Sequence, residues 1–196
     1  MSVVRRLSFA RALAANPRAV GAVAPSSRRL AAAMVAELPM PAGRSVLELG
    51  PGTGPFTAAI RERLAEPGLY LGIEQHGPFV EQLRERFPEL AFAHGSAGEA
   101  ARLHGEGNLP PVGAIVSGLP FASLPAEVQD QVLAGLEALL PAGAYFTTFQ
   151  YAHAGAMPAA RRFRRQMAAM LGPPVRRRLV LANLPPAHVL RWQRGA

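Results

Sequence analysis

Three glycines at alternate positions, Gly50, Gly52 and Gly54, follow the apolar run Ser45–Leu49. Glycine permits turns and close backbone approaches that a side chain would block. The apolar run predicts a buried strand, and the spacing over residues 56–64 predicts a helix directly after the turn. Such a turn brings backbone N–H groups close to a nucleotide-like ligand. The spacing differs by one residue from the dinucleotide fingerprint, and similar turns also form for packing alone.

A second apolar run, residues 69–74, ends in the carboxylate of Glu74. In mononucleotide-binding units, a carboxylate about 20 residues beyond the glycines accepts hydrogen bonds from ribose hydroxyls. The glycine turn and Glu74 together predict a nucleoside-bearing ligand at the ends of two neighbouring strands.

The elements that must position these residues alternate along the chain. Strands are predicted at residues 45–49, 69–74, 90–94, 112–117 and 144–151, helices at residues 56–65, 77–87, 97–103, 125–140 and 158–171, and a closing antiparallel pair at residues 176–184 and 187–192. This alternation predicts an α/β fold with a doubly wound sheet and right-handed crossovers. Ligands of such sheets bind over the carboxyl ends of the strands.

Composition narrows the possible partners. The 196 residues suffice for one α/β domain, and the lack of cysteine excludes disulfides and thiolate metal sites. A net charge of +8 indicates either an anionic partner, which would be nucleic acid or a membrane face, or a contribution of charge to solubility. The mean hydropathy of +0.12 favours the membrane surface. Prolines interrupt both long uncharged runs, residues 107–126 and 138–160, so neither is predicted to span a bilayer.

The N-terminal region is predicted to be helical. Residues 2–15 carry narrow apolar stripes bordered by arginines, which fits either contact with lipid or packing on the core. Prolines stiffen the following loop, and Ser26 or Ser27 is a suitable N-cap for a helix reaching Ala36. No apolar segment of signal-peptide length precedes Asn16, so the chain is not expected to be exported.

The glycine motif led by Glu48, with Glu74, resembles the class I S-adenosylmethionine-dependent methyltransferases. The stretch N-P-R-A-V-G-A-V-A-P-S-S is similar to the bacterial phospholipid N-methyltransferases, as are residues 117–121, 148–151 and 183–187. The resemblance implies a Rossmann-like class I methyltransferase sheet with an N-terminal helical extension. Residues 1–40 would contact the membrane and cover the active site, and residues 41–196 would form the methyltransferase domain.

The implied reaction transfers methyl groups from S-adenosylmethionine to the amine of phosphatidylethanolamine and its methylated intermediates, toward phosphatidylcholine. The product of the donor is S-adenosylhomocysteine, and no metal is required. Alignment of donor and acceptor alone contributes about 7–11 kcal/mol in favourable cases.

The resemblance also implies roles at the donor site. The three glycines approach the methionine moiety, Glu48 organises the loop from below, and Glu74 binds the ribose diol. Ser96 stands at the adenine end, where many relatives carry an aspartate. The expected cofactor-binding residues are Glu48, Gly50, Gly52, Gly54, Glu74, Gln75, Ser96, Ala97, Ser117 and Ser26.

The acceptor amine requires orientation and loss of a proton. Position 118 is glycine where amino-methylating relatives often carry Asn or Asp, so orientation rests on backbone carbonyls, Ser117 or other side chains. Tyr151 and then His153 are the candidate proton acceptors. The rings of Tyr151 and Phe121 are candidates to hold a methylated ammonium by cation–π attraction, although Tyr151 also fits a half-buried strand aromatic.

Arginine is the natural partner of a lipid phosphate, and the candidates are Arg18 first, then Arg161, Arg164 or Arg177. The helix at residues 158–171 sets four arginines beside apolar side chains, which fits a membrane-surface patch or an ordinary charged exterior.

The expected protein is a monomer that binds phosphatidylethanolamine and anionic lipids, but no nucleic acid, at the inner face of the cytoplasmic membrane. An rRNA adenine N6-methyltransferase is the alternative enzyme. A non-enzymatic lipid-binding protein on the same scaffold is a further alternative.

Overall fold

The computed structural model describes residues 26–195 of the chain. Its strands are β1 Ser45–Leu49, β2 Tyr70–Glu74, β3 Ala91–His94, β4 Val112–Ser117, β5 Tyr145–Tyr151, β6 Arg176–Val180 and β7 Ala187–Gln193. The α-helices of this region are α1 Arg28–Val35, α2 Pro55–Arg61, α3 Gly77–Arg86, α4 Ala100–Glu106, α5 Ala126–Leu139 and α6 Pro158–Leu171. Short 3-10 helices occupy Pro67–Leu69, Ala97–Glu99 and Ala152–Ala156.

All seven strands form one sheet in the order β3-β2-β1-β4-β5-β7-β6. Strands β1 to β5 pair in parallel, and β7 runs antiparallel to both β5 and β6. The ends of β1 to β5 therefore meet at one side of the sheet, here termed the carboxyl edge. Strand order reverses between β1 and β4, where Leu49 lies beside Ser117. The predicted doubly wound α/β fold is confirmed, and this reversal is where such sheets bind ligands.

Helices bury apolar side chains on both faces of the sheet. On one face, α1 and α2 contribute Leu30, Met34 and Phe56 to a core that includes Phe149 of β5. On the other, α5 and α6 pack against β4, β5 and β7. No helix within residues 26–195 is long and apolar enough to cross a bilayer.

Helix α1 is fixed firmly to the sheet. Ser27 is its N-cap, because its Oγ accepts a hydrogen bond of 3.1 Å from the backbone N–H of Leu30. At the other end, the buried Arg191 of β7 donates to the carbonyl oxygens of Met34, Ala36 and Glu37. Burial, and then the nearby Arg176, lower the pKa of Arg191 to about 10. Helix α1 thus forms part of the core.

The predicted strand at residues 176–184 is shorter than expected, since β6 ends at Val180. Asn183 explains the departure from the sheet. Its Oδ1 accepts from the N–H of Ser27 at 3.0 Å, and its Nδ2 donates to the carbonyl of Pro185 at 2.7 Å. The predicted helix at residues 2–15, most of the following loop and Arg18 lie outside the described residues, so the expected division at residue 40 stays a prediction.

Candidate active site

The glycine turn lies at the carboxyl edge of β1, beside the strand reversal. Gly50, Gly52 and Gly54 all have positive φ, at 68°, 58° and 85°. The N–H of Gly50 donates to the carbonyl of Ile73 at 2.9 Å, which joins the turn to the end of β2. A Cβ on Gly52 would meet no atom of residues 26–195 within 4 Å, so within that part of the chain this glycine is needed for its backbone conformation and leaves open space above the turn.

Glu74 links this turn to β2. Its Oε2 accepts a hydrogen bond of 2.9 Å from the N–H of Gly52, and its Oε1 accepts one of 2.9 Å from the N–H of His76. The carboxylate is therefore held in place, and each oxygen retains a lone pair for another donor. This is the arrangement that binding of a ribose diol requires.

Glu48 lies beneath the turn and is fully buried. Its Oε2 accepts from the hydroxyls of Thr57, at 2.8 Å, and Tyr70, at 2.6 Å, while Oε1 has no hydrogen-bond partner among residues 26–195. Burial raises the pKa of Glu48 to about 7, since the hydrogen bonds from Tyr70 and Thr57 offset only part of the desolvation. Glu48 thereby connects α2 and β2 under the glycines. Thr57 and Tyr70 were not identified from the sequence, because their contacts with Glu48 join separate elements of the chain.

Gly118, at the end of β4, packs directly against the glycine turn. Its N–H donates to the carbonyl of Leu49 at 2.8 Å, and a Cβ there would lie 2.6 Å from the carbonyl oxygen of Gly50. Position 118 therefore cannot hold the Asn or Asp expected for an amine-orienting motif. Ser117 does not replace it, because its buried Oγ accepts from the N–H of Leu119 at 3.3 Å and its carbonyl accepts from Thr148.

At the predicted adenine end, Ser96 has a local structural role. Its Oγ accepts from the N–H of Gly98 at 3.2 Å, and its N–H donates to Glu99 at 3.1 Å, which completes a capping box. Ala97 begins the 3-10 helix that follows, and Gln75 accepts a hydrogen bond from His94 through its backbone carbonyl. The hydroxyl of Ser96 is thus engaged by the backbone, and a ligand at this turn would meet chiefly backbone groups. Ser26 is half-buried beside the N-cap of α1.

Tyr151 and His153 lie at the carboxyl edge of β5, as the sequence predicts. Their rings stack at 5.8 Å between centroids with an interplanar angle of 14°, and Tyr151 also makes an edge contact with Phe149. Burial raises the pKa of the half-buried Tyr151 above its usual value near 10, so its hydroxyl is protonated at neutral pH. His153 is exposed to solvent.

Phe121 follows the end of β4 and is buried. The ring is 2% exposed, stacks on Phe163 of α6 at 3.9 Å between centroids, and contacts Phe146 edge-on. A ring packed in this way has no face free for an ammonium group. The structure therefore gives no support to the predicted cation–π role of Phe121.

The predicted phosphate ligands Arg161 on α6 and Arg177 on β6 are both exposed. Arg164, also on α6, donates to the side-chain oxygen of Gln150 and to the carbonyl of Gly155. Burial, then Arg177 and Arg161, lower the pKa of Arg164. The side chains of Gln150 and Arg164 were not assigned a joint role from the sequence, because the contact spans two separate elements.

The fold is shared with solved methyltransferases. Fibrillarin from Aeropyrum pernix, solved with S-adenosylmethionine, superposes with a TM-score of 0.64 at 16% identity over 84% of this chain and 74% of that one. A TehB-like S-adenosylmethionine-dependent methyltransferase from Corynebacterium glutamicum gives a TM-score of 0.61 at 14% identity over 98% and 100%.

Sequence comparison also gives a relative of higher identity. This chain is 31% identical over 131 residues to an ornithine lipid N-methyltransferase of Singulisphaera acidiphila. The aligned residues cover 65% of this chain and 68% of that protein.

The fold, the glycine turn and the oriented Glu74 define a class I S-adenosylmethionine-dependent methyltransferase. The chain belongs to the protein-L-isoaspartate(D-aspartate) O-methyltransferase (PCMT) family, whose model matches residues 3–165. The described residues fit the donor, since Gly52 leaves open space, Glu74 has free lone pairs for hydroxyls, and Glu48 supports the loop. S-adenosylmethionine supplies an electrophilic methyl group when bound.

Proposed function

We propose that this enzyme methylates the amine of phosphatidylethanolamine and its methylated intermediates, toward phosphatidylcholine, at the inner face of the cytoplasmic membrane. The observation that carries the proposal is the 31% identity to a lipid N-methyltransferase, two thirds of whose length is matched. The resemblance of residues 16–27, 117–121, 148–151 and 183–187 to phospholipid N-methyltransferases supports the same acceptor.

Tyr151 is the proposed contact for the amine. Its hydroxyl stays protonated at neutral pH, so it acts as a hydrogen-bond acceptor and its ring as a cation–π partner, rather than as a phenolate base. The ammonium proton then leaves to solvent or to the exposed His153, whose ring stacks on Tyr151. The amine nitrogen attacks the methyl carbon as the carbon–sulfur bond breaks, which leaves S-adenosylhomocysteine.

Exposed apolar side chains support contact with a membrane. Within residues 26–195, the exposed large hydrophobic side chains are Met157, Val175, Leu179, Leu181 and Leu184. Leu181 and Leu184, 73% and 85% exposed, follow the end of β6 at the side of the sheet that carries the glycine turn. Leucines beside arginines suit the boundary between acyl chains and anionic headgroups.

A groove of about 470 Å³ lies between α1 and the end of β6. Ala32, Ala33 and Val180 form part of its apolar lining, Arg29 lies at its rim, and it continues to Leu181. None of the glycine-turn residues lines it. The groove thus continues the surface that carries the exposed Leu181 and Leu184, and it supports the proposal that the enzyme binds its lipid at the membrane.

Ornithine lipid is the second candidate acceptor, and the named activity of the 31% identical relative favours it. It also presents a primary amine on a membrane lipid. An rRNA adenine acceptor is less well supported, because the contact of Gly118 with Gly50 excludes an Asn or Asp side chain that would bind the base edge.

Lipid analysis of cells tests the proposal. A bacterial host that makes phosphatidylethanolamine but no methylated derivatives should accumulate them when it expresses this chain, and should not when it expresses Glu74→Gln. Glu81→Gln, an exposed carboxylate on α3, is the matched control and should retain activity. If a host that makes both lipids accumulates only methylated ornithine lipid, then ornithine lipid, and not phosphatidylethanolamine, is the acceptor. Methyl groups found only in RNA or in isoaspartyl peptides would contradict both.

A further inference from the structure

A cluster of hydrogen-bond donors lies on the α6 face of the sheet, near the ends of β5 and β6. Gln150 of β5 is opposite His188 of β7, and His188 is opposite Leu179 of β6. Arg164 of α6 donates to Oε1 of Gln150, and Nη2 of Arg177 lies 3.4 Å from Nε2 of His188.

Two buried nitrogen atoms in this cluster have no hydrogen-bond partner among residues 26–195. The side chain of Gln150 is only 7% exposed, yet its Nε2 has no hydrogen-bond acceptor within the described part of the chain, and neither has Nδ1 of His188. An unpaired buried polar group of this kind costs roughly 1–3 kcal/mol. Such a cost is expected to be recovered by a ligand or by ordered water.

The cluster also lacks a counter-charge. Among residues 26–195, no carboxylate lies within ion-pair distance of Arg161, Arg164 or Arg177. Arg177 and Arg164 lower the pKa of His188 in addition to its burial, which is the sign of uncompensated positive charge. By contrast, Arg162 on the same helix is paired with Asp130 at 2.7 Å.

We propose that Gln150, Arg164, Arg177 and His188 form an anion subsite that binds the phosphodiester of the acceptor lipid. Arginine forks and neutral N–H donors are the groups that recognise phosphate oxygens. The choice of a lipid phosphodiester as the bound anion rests on the proposed function. The cluster of donors is observed independently of that function.

The position of the subsite suits such a headgroup. Gln150 and Tyr151 are consecutive at the end of β5 and their side chains point to opposite sides of the sheet. In phosphatidylethanolamine only a short ethylene bridge joins the phosphodiester to the amine. A headgroup lying across the end of β5 would therefore direct its phosphate to this cluster and its amine to Tyr151.

Calorimetric titration of the full chain, with S-adenosylhomocysteine present, provides the test. The probes are glycerophosphoethanolamine and inorganic phosphate, and the variants are Arg177→Gln and Arg165→Gln. Arg177 is exposed and, within residues 26–195, its side chain forms a hydrogen bond only with His188, while Arg165 is an exposed arginine on α6 whose loss removes the same charge. We expect Arg177→Gln to weaken binding of glycerophosphoethanolamine about 10- to 100-fold, as for a lost charge-assisted hydrogen bond, and Arg165→Gln to leave it unchanged.

Equal binding by the two variants, or no binding of glycerophosphoethanolamine to the wild type, would overturn the subsite. Inorganic phosphate binding as tightly as glycerophosphoethanolamine would overturn the headgroup assignment in favour of a free anion. In the methylation assay, Arg177→Gln should raise KM for the lipid and leave kcat nearly unchanged. If both variants methylate lipid equally, the subsite is rejected and the proposed function stands. If binding of glycerophosphoethanolamine depends on Arg177 but no lipid is methylated, the proposed function is rejected and the subsite stands.

Discussion

Gly118 packs its α-carbon against the carbonyl oxygen of Gly50, so that the turns after β4 and β1 are in direct contact. A Cβ at position 118 would lie 2.6 Å from that oxygen. The contact joins the two strands at which the sheet order reverses, and it fixes the shape of the glycine turn that we expect to contact the methyl donor. The absence of an amine-orienting Asn or Asp follows from this packing.

Gly118→Ala should therefore displace the glycine turn. We expect a free energy of unfolding lower by about 1–3 kcal/mol, as for overpacking, and affinity for S-adenosylhomocysteine lower by roughly 10-fold or more. Thermal unfolding and calorimetric titration measure the two effects. Gly105→Ala in α4 is the matched control, because a Cβ there meets no atom within 4 Å and alanine favours a helix. Unchanged affinity in Gly118→Ala would show that the contact does not shape the donor site.

Glu48 should make stability depend on pH. Its pKa is raised from 4.5 in the unfolded chain to about 7 in the folded protein, so the folded state binds more protons between these values. The contribution of Glu48 to stability is complete below pH 4.5 and is lost as pH rises through 7. Glutamine resembles the protonated acid and does not titrate. The melting temperature of Glu48→Gln should therefore change less between pH 4.5 and 7 than that of the wild type. Exposed Glu62→Gln should keep the slope of the wild type, and a slope unchanged in Glu48→Gln would contradict the assigned pKa.

Tyr151 should act mainly through its ring. Tyr151→Phe is expected to retain much of the methylation rate, and Tyr151→Ala to lose about 10-fold, because a cation–π contact contributes roughly 1–2 kcal/mol. Tyr145 lies on the same face at the other end of β5, so Tyr145→Phe and Tyr145→Ala are matched controls. A complete loss in Tyr151→Phe would instead identify the hydroxyl as the essential proton acceptor.

Leu181 and Leu184 should anchor the enzyme to vesicles. A fully buried leucine contributes about 1.5–3 kcal/mol. If both leucines insert partly into the membrane, the double variant Leu181→Ser/Leu184→Ser should have a vesicle partition coefficient lower by roughly 10-fold or more. Val175→Ser is the control, since Val175 is exposed but precedes β6 at the opposite edge. Sedimentation with anionic vesicles measures the effect. Equal losses of binding in the control and the double variant would contradict membrane contact through Leu181 and Leu184.

The sequence predicted the fold well because its strands are short apolar runs separated by turns. Helix α6 has the predicted bounds, and Glu74 meets the glycine turn as its spacing indicated. Local patterns carry this information, since side-chain periodicity follows directly from backbone geometry.

Tertiary contacts were harder to predict. The burial of Phe121 against Phe163 and the pairing of Gln150 with His188 depend on which strands become neighbours. Ser96 was assigned to the adenine end by resemblance, and the sequence did not reveal that Glu99 would join it in a capping box. The reason for glycine at position 118 likewise lies in a contact with a distant residue.

The most direct test of the central claim uses the purified chain, S-adenosylmethionine with a labelled methyl group, and vesicles that contain phosphatidylethanolamine, ornithine lipid or neither. Chromatography of the extracted lipids then shows which headgroup carries the label. The account predicts label in mono- or further methylated phosphatidylethanolamine, absent with Glu74→Gln and retained with Glu81→Gln. Donor binding without label in any lipid, or label that appears equally when no amino lipid is present, would contradict it.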